Sequence, residues 1–180
     1  MTNTNLIVTD TTLDNLLIYE LSQLPVHTPT LNFALNLLYQ TGCRATEAVR
    51  LDLWTITNDN LITLKPLKFN NPRNFTLSEL PPDFYKWHND QPEYLLWTSY
   101  RRIQYLATSM FGNYEIQVGK KHSLLHLFRH NYIRKLLSQG KAIEDIKKIM
   151  GHTKLNTTLE YEHTTIIAKS VIMTKKGEIL

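Results

Sequence analysis

Apolar residues recur every three or four positions through most of the chain, which is the interval that places them on one face of a helix. Near the N-terminus the residues with this spacing are Leu13, Leu16, Leu17 and Leu21. They predict a short helix before Pro25. A second helix is predicted from Thr28, with Pro29 at its first helical position and Thr41-Gly42 at its end. Proline suits the first turn of a helix, and glycine suits the position after its last turn.

The same spacing predicts further helices, and a different pattern interrupts them once. The predicted helices lie at about 45–52, 82–88, 98–111, 123–138, 142–150 and 154–163. Between the first two, the runs 60–64 and 75–77 are typical of short β-strands. Asn70-Asn71-Pro72 marks a turn between them, and Pro66 suggests a bulge or an exposed edge. The predicted fold is therefore mainly α with one small antiparallel β-hairpin or sheet.

Length and composition favour a single domain that can bind a polyanion. The chain has 180 residues, of which 42% are hydrophobic, enough for one core. The net charge of +4 is mildly basic, and between Lys120 and Lys148 eight lysines and arginines stand against only two acidic residues. A basic segment of this kind permits a nucleic-acid partner without requiring one.

Several classes of protein are disfavoured by what the sequence lacks. Cys43 is the only cysteine, so the chain can form no internal disulfide and no zinc site built from thiolates alone. The N-terminus does not have the order of a signal peptide, and no apolar run approaches the roughly 18–20 residues needed to cross a bilayer. We therefore expect a cytoplasmic protein with no membrane partner.

Two fragments present basic residues suited to a phosphate. Arg44 follows Thr41-Gly42 at the turn between two predicted helices, where a guanidinium adds to the backbone N–H groups of a helix start. The alternative is a surface ion pair with Glu47. In the predicted helix 123–138, His126 and Arg129 are three residues apart and share a face, whereas His130 is about 100° away and is assigned to structure. The alternative there is an ordinary solvated helix face.

Two more fragments follow toward the C-terminus. Gly151 fits the end of the helix predicted at 142–150, and His152 lies just beyond it. Tyr161 ends the short helix predicted at 154–163. Taken alone, His152 is an ordinary loop histidine and Tyr161 a core aromatic with its hydroxyl bonded.

The four fragments together resemble the tyrosine recombinases, the phage-integrase-like site-specific recombinases. The resemblance consists of an arginine after Thr-Gly-x, a His-x-x-Arg-His box, a Gly-His pair and a following tyrosine, and it runs from about Thr28 to Tyr161. His152 is 23 residues beyond Arg129, and Tyr161 is nine beyond His152. Glu47 also stands where the family usually has an acidic residue.

The resemblance adds a lysine to the candidate site. The family carries a catalytic lysine on a β-hairpin after the first arginine, and Lys68 precedes the predicted turn. Lys65 is the competing choice, on the opposite face of the strand, because side chains alternate along a strand and only one of the two can face the site. The implied role of Lys68 is the general acid that protonates the leaving 5′-oxygen.

The function implied is DNA strand cleavage and rejoining through a covalent 3′-phosphotyrosine at Tyr161. Arg44 and Arg129 would bind the non-bridging oxygens of the phosphate as its charge rises, with His152 as a further donor. His126 would accept the proton of the tyrosine. No metal or other cofactor is implied, the expected partner is double-stranded DNA, and site-specific recombination or integration is the expected process. The alternatives are a type IB topoisomerase and a non-catalytic DNA-binding module with the same fold.

The resemblance also divides the chain. Residues 1–27 form an N-terminal extension, 28–163 the catalytic domain and 164–180 a C-terminal tail with apolar residues from Ile166 to Met173. The tail either folds back on its own domain or, as in the family, docks on a neighbouring copy in a dimer or tetramer on DNA. Because the family generally has a separate helical DNA-binding domain ahead of the catalytic one, the chain is either a catalytic fragment or a short protein that clamps DNA from one face.

Overall fold

The computed structural model describes residues 6–7, 10–24, 29–56, 61–65, 71–77, 98–111, 116–117, 123–152 and 167–168. Within these ranges the helices are α1 (Asp10–Ser22), α2 (Pro29–Thr41), α3 (Ala45–Ala48), α4 (Tyr100–Phe111), α5 (His126–Ser138) and α6 (Ile143–Met150), with a 3₁₀ turn at Leu51–Leu53. The strands are β1 (Leu6–Ile7), β2 (Trp54–Ile56), β3 (Leu61–Leu64), β4 (Arg73–Thr76), β5 (Ile116–Gln117) and β6 (Ile167–Ala168).

The core is built around α2 and α5, which contact each other and both contact α1. Leu16 and Leu17 of α1, Leu38 of α2, and Leu127 and Phe128 of α5 are fully buried in one hydrophobic cluster. The apolar spacing that predicted α1 and α2 therefore corresponds to real buried faces, because each helix can shield only the side that faces its neighbours. The predictions of α1 and α2 are confirmed, and α4, α5 and α6 lie where helices were expected. The helices predicted at 82–88 and 154–163 fall outside the described residues.

The predicted hairpin is confirmed and belongs to a three-stranded antiparallel sheet in the order β2-β3-β4. In the hairpin Leu64 pairs with Arg73 and Ile62 with Phe75, and all four side chains are buried on one face. The third strand, β2, was not predicted, and the helix expected to reach about residue 52 ends at Ala48. The indole N–H of Trp54 donates to the Glu47 carbonyl at 2.9 Å, so the chain reverses against the end of α3 instead of continuing the helix.

A second small sheet joins segments from both ends of the described chain. Its order is β1-β6-β5, with Ala168 of β6 opposite Leu6 on one side and Ile116 on the other. Two residues of the C-terminal tail thus pair within their own chain. The other tail residues lie outside the described part, and docking of the tail on a neighbouring copy stays a prediction. No helix in the described ranges is long and apolar enough to cross a membrane.

Candidate active site

Arg44 lies at the start of α3, where its backbone is extended and Glu47 closes the first turn. The Glu47 carboxylate accepts from the Arg44 backbone N–H at 2.8 Å and from its Nη1 at 3.2 Å. The Nη2 group donates to the Gly151 carbonyl at 3.3 Å, which joins residues that are 107 positions apart. The side chain remains 43% exposed, so Arg44 is a fixed cation at the surface.

Gly42 ends α2 in a conformation that only glycine adopts without strain. Its φ is +58°, and an added Cβ would lie 2.7 Å from Cδ1 of Tyr132 on α5. The close approach lets the backbone of the α2–α3 turn meet α5 directly. As a result the Gly42 carbonyl accepts from Nη1 of Arg129 at 2.7 Å.

Arg129 is a buried cation of the site. Only 5% of the residue is exposed, and its Nη2 donates to the Met150 carbonyl at 2.8 Å in addition to the contact that Nη1 makes with Gly42. Two carbonyls from two separate segments therefore fix the plane of the guanidinium. A planar cation held in this way presents its positive charge at a fixed position, which favours an oxyanion beside it.

The end of α6 brings His152 to Arg129. Gly151 has a φ of +64°, its N–H donates to the Lys148 carbonyl, and the His152 N–H donates to the Lys147 carbonyl. These are the paired hydrogen bonds of a Schellman motif, which needs a residue with positive φ and reverses the chain. The reversal sets Nε2 of His152 2.7 Å from Nη2 of Arg129. It also directs carbonyls at the C-terminal end of α6 toward the arginines. This end of the helix dipole is negative, so it stabilises the positively charged guanidiniums.

The environment of His152 keeps its imidazole neutral. Burial, together with the positive charges of Arg129, Arg44 and Arg73, lowers the pKa of His152 to about 3. A guanidinium has only N–H donors, so Nε2 must accept from Arg129 and the ring proton lies on Nδ1. At neutral pH His152 is therefore an uncharged hydrogen-bond donor through Nδ1–H.

Arg73 is the residue of this site that the sequence did not reveal. It begins β4, is 5% exposed and donates from Nη2 to Glu47 at 2.8 Å and from Nη1 to the Met150 carbonyl at 3.1 Å. Burial alone would raise the pKa of the Glu47 carboxyl, but Arg73 and Arg44 hold it below its usual value. The signal that could have found Arg73 was alternation, since it shares a strand face with Phe75 and Leu77.

The structure thus brings Arg44, Arg129 and His152 together. His126 is the first residue of α5, one turn before Arg129, and is half-buried, whereas His130 is buried. The catalytic candidates Lys68 and Tyr161 lie outside the described residues.

Two further features bear on the chemistry of the site. Burial raises the pKa of the Cys43 thiol to about 12, so the group stays protonated and is a poor nucleophile. In the part of the chain that the structure describes, no group of three or more His, Cys, Asp or Glu residues could hold a metal ion.

Comparison with known proteins identifies the family to which the chain belongs. Residues 15–166 match the model of the phage integrase family, and the chain belongs to that family. A Methanocaldococcus jannaschii protein named "probable integrase/recombinase" is 28% identical over 158 residues, which cover 79% of this chain and 48% of that protein. The tyrosine recombinase XerC of Lacticaseibacillus casei is 23% identical over 147 residues, 73% of this chain and 49% of XerC. The chain spans about half the length of these relatives.

Solved structures of recombinases have the same fold. The XerA recombinase superposes with a TM-score of 0.59 at 18% identity, over 89% of this chain and 62% of XerA. XerH bound to its difH substrate in a pre-cleavage complex also gives 0.59, at 14% identity, over 84% of this chain and 48% of XerH. The chain therefore has the fold of a tyrosine recombinase catalytic domain, mainly helical with a small three-stranded antiparallel sheet.

Proposed function

We propose that this domain cleaves and rejoins double-stranded DNA through a covalent 3′-phosphotyrosine at Tyr161, as the catalytic part of a site-specific recombinase or integrase. The observation that carries the proposal is the convergence of Arg44, Arg129 and His152. These residues come from three separate segments of a phage integrase family member, and their side chains meet around the end of α6.

The two arginines have the properties that a phosphate clamp needs. Arg44 is partly exposed and can meet DNA, while Arg129 lies deeper with its plane fixed by the Gly42 and Met150 carbonyls. As an oxygen nucleophile attacks the phosphodiester, negative charge grows on the non-bridging oxygens. Cations that are oriented beforehand stabilise this charge without having to reorganise.

The histidines have different proposed roles. His152 is neutral and protonated on Nδ1, so it donates a hydrogen bond to a non-bridging oxygen without adding a positive charge that would repel the arginines. His126, one helical turn before Arg129, accepts the proton of the Tyr161 hydroxyl. Tyrosine has a reference pKa of about 10, so it needs both a proton acceptor and nearby positive charge to become a nucleophile at neutral pH.

Lys68 is the proposed acid for the leaving 5′-oxygen. The competing Lys65 is exposed and directly follows Leu64, whose buried side chain shares a face with Arg73. Because neighbouring side chains in a strand point to opposite faces, Lys65 is directed away from the face that carries Arg73. This supports Lys68 as the lysine that acts at the site.

Trapping of the covalent intermediate tests the proposal and does not require a known target sequence. The wild-type domain is incubated with a pool of nicked duplexes of randomised sequence, in which cleavage releases a short fragment and prevents rejoining. We expect a protein–DNA adduct that survives denaturing electrophoresis and whose DNA can be sequenced. The proposal would be contradicted if the protein formed no adduct with such a pool and none with the DNA that flanks its own gene.

Tyr161→Phe should abolish the adduct, because it removes the attacking oxygen and little volume. The matched control is Tyr132→Phe, since Tyr132 packs on Gly42 beside the site and burial raises its pKa. Tyr132→Phe should form the adduct. If Tyr161→Phe still forms it, another residue is the nucleophile.

A second assay separates recombination from DNA relaxation. Plasmids carrying two copies of the trapped sequence should be recombined, whereas a supercoiled plasmid without that sequence should not be relaxed. Relaxation without recombination would favour a type IB topoisomerase.

A further inference from the structure

Arg73 shares one hydrogen-bond acceptor with each arginine of the proposed clamp. Its Nη2 and the Arg44 backbone N–H both donate to Oε2 of Glu47, at 2.8 Å each. Its Nη1 and Nη2 of Arg129 both donate to the Met150 carbonyl, at 3.1 Å and 2.8 Å. Arg73 therefore links the sheet to α3 and to the end of α6.

The burial of Arg73 makes it the stronger of the two partners of Glu47. The side chains of Arg73 and Glu47 are 4% and 2% exposed, whereas that of Arg44 is 43% exposed. The Arg73–Glu47 contact is also the shorter, 2.8 Å against 3.2 Å for Arg44 Nη1. A charge pair excluded from water interacts more strongly than one that solvent screens. Glu47 is therefore neutralised mainly by Arg73, and the charge of Arg44 stays available for an external anion.

We propose that Arg73 is a positioning residue of this site, which acts through Glu47 and Met150 and does not itself touch DNA. It holds the Glu47 carboxylate so that Arg44 is oriented but not neutralised, and it holds the Met150 carbonyl so that Arg129 faces the same phosphate. This inference rests on the proposed DNA cleavage activity.

A purely structural role for Arg73 gives a different expectation. In Arg73→Met the methionine side chain fills a volume similar to that of the arginine. The Glu47 carboxylate then lacks its main partner and offsets the positive charge of Arg44. In Arg73→Met/Glu47→Gln both buried charges are gone, and the net charge of the site returns to its wild-type value. A purely structural role would change the stability of the two variants but not the cleavage rate of the protein that is folded, because removing the unpaired Glu47 charge relieves a folding penalty only.

The test measures the single-turnover rate constant of adduct formation on the nicked duplex that wild-type protein traps. Arg73→Met is expected to slow cleavage about 10²-fold, the size of effect that a small misplacement of reacting groups produces. The double variant is expected to recover about tenfold of that loss through coupling of the two sites. Arg50→Met is the matched control, because Arg50 pairs with Asp52 at the surface, and it should cleave at the wild-type rate. Circular dichroism at the assay temperature establishes that each variant is folded.

Two results would overturn the inference: cleavage by Arg73→Met at the wild-type rate, or a double variant no faster than Arg73→Met. Both are distinct from failure of the proposed function, in which wild-type protein forms no adduct. If Arg73→Met does not fold, Arg73→Lys replaces it, since an ammonium keeps the charge beside Glu47 but lacks the fork that reaches two acceptors. A tenfold or greater loss in folded Arg73→Lys, an order-of-magnitude criterion for a lost fork, supports the inference, and a smaller loss overturns it.

Discussion

The guanidinium of Arg129 is buried, and carbonyl oxygens on two different segments compensate the loss of water around its charge. Gly42 supplies one and Met150 the other. Carbonyl dipoles stabilise a buried cation but leave its net charge in place, whereas a carboxylate would neutralise it. The positive charge of Arg129 is thus held at a fixed position and orientation within the site.

Arg129→Lys should lose most of the activity while keeping the charge. An ammonium on a flexible stem cannot hold the Gly42 and Met150 carbonyls and a phosphate in one plane, so we expect adduct formation to slow by about 10²–10³. Arg134→Lys on the same helix is the control. Wild-type cleavage by Arg129→Lys would show that charge alone is sufficient.

His152 should make the stability of the domain depend on pH in a defined direction. Its pKa is about 3 in the folded state, below the unfolded value of about 6.5. Above about pH 6.5 neither the folded nor the unfolded state binds this proton, and His152 makes its full contribution to stability. As the pH falls from there toward 3, only the unfolded state binds it, so the free energy of unfolding decreases by up to about 1.4 kcal/mol per pH unit.

The comparison of wild type with His152→Asn isolates this contribution, since all other titrating groups are common to both. Urea unfolding between pH 7 and pH 4 should give a smaller decrease for His152→Asn. Parallel pH dependence of the two proteins would mean that His152 is not held neutral by the fold.

Among the elements, the α2–α3 turn depends on one glycine for both its shape and its contact with α5. Gly42→Ala meets two penalties, a positive φ and a Cβ only 2.7 Å from Tyr132. Gly140 provides the control, because its φ is +75° and an added Cβ would have nothing within 4 Å. Gly140→Ala therefore carries the backbone penalty alone, about 1 kcal/mol.

We expect Gly42→Ala to be destabilised by about 2–3 kcal/mol, measured by urea unfolding, because the steric penalty adds to the backbone one. Adduct formation should also slow, since the displaced Gly42 carbonyl no longer orients Arg129. Equal stability of the two alanine variants would show that Tyr132 moves aside at no cost.

The sequence predicted the elements whose pattern is local and missed those set by distant contacts. The leucines of α1 and the Thr28-Pro29 start of α2 carry their own signals, and the resemblance to the tyrosine recombinases placed Arg129 and His152 in one site. The early end of α3 depends on the Trp54 indole meeting the Glu47 carbonyl. Arg73 reaches the site because β4 brings it to the end of α6, 77 residues away in the chain. Alternation along β4 could show that Arg73 is buried, but no local pattern shows which distant carbonyl it contacts.

For the molecule as a whole, the tail is the part whose role most needs an experiment. Deleting residues 166–180 removes β6, the middle strand of its sheet. The core is built around α1, α2 and α5, which contact one another, so we expect the fold to survive and assembly on DNA to be lost. Sedimentation of the protein with the trapped duplex measures this. Deletion of 174–180 alone, which keeps the apolar tail residues, should assemble normally, and normal assembly of both variants would remove the tail from the interface.

The pairing of β6 with β1 also works as a tether. Six residue steps separate Tyr161 from Ile167, and a fully extended chain covers at most about 3.6 Å per residue. While the β1–β6 ladder is closed, the proposed nucleophile therefore cannot move more than about 20 Å from Ile167, which is opposite Ile7. Any force that pulls on the segment before Leu6 is transmitted across this ladder toward Tyr161. The pairing thus connects the two ends of the described chain and, while it is closed, limits the reach of the proposed nucleophile.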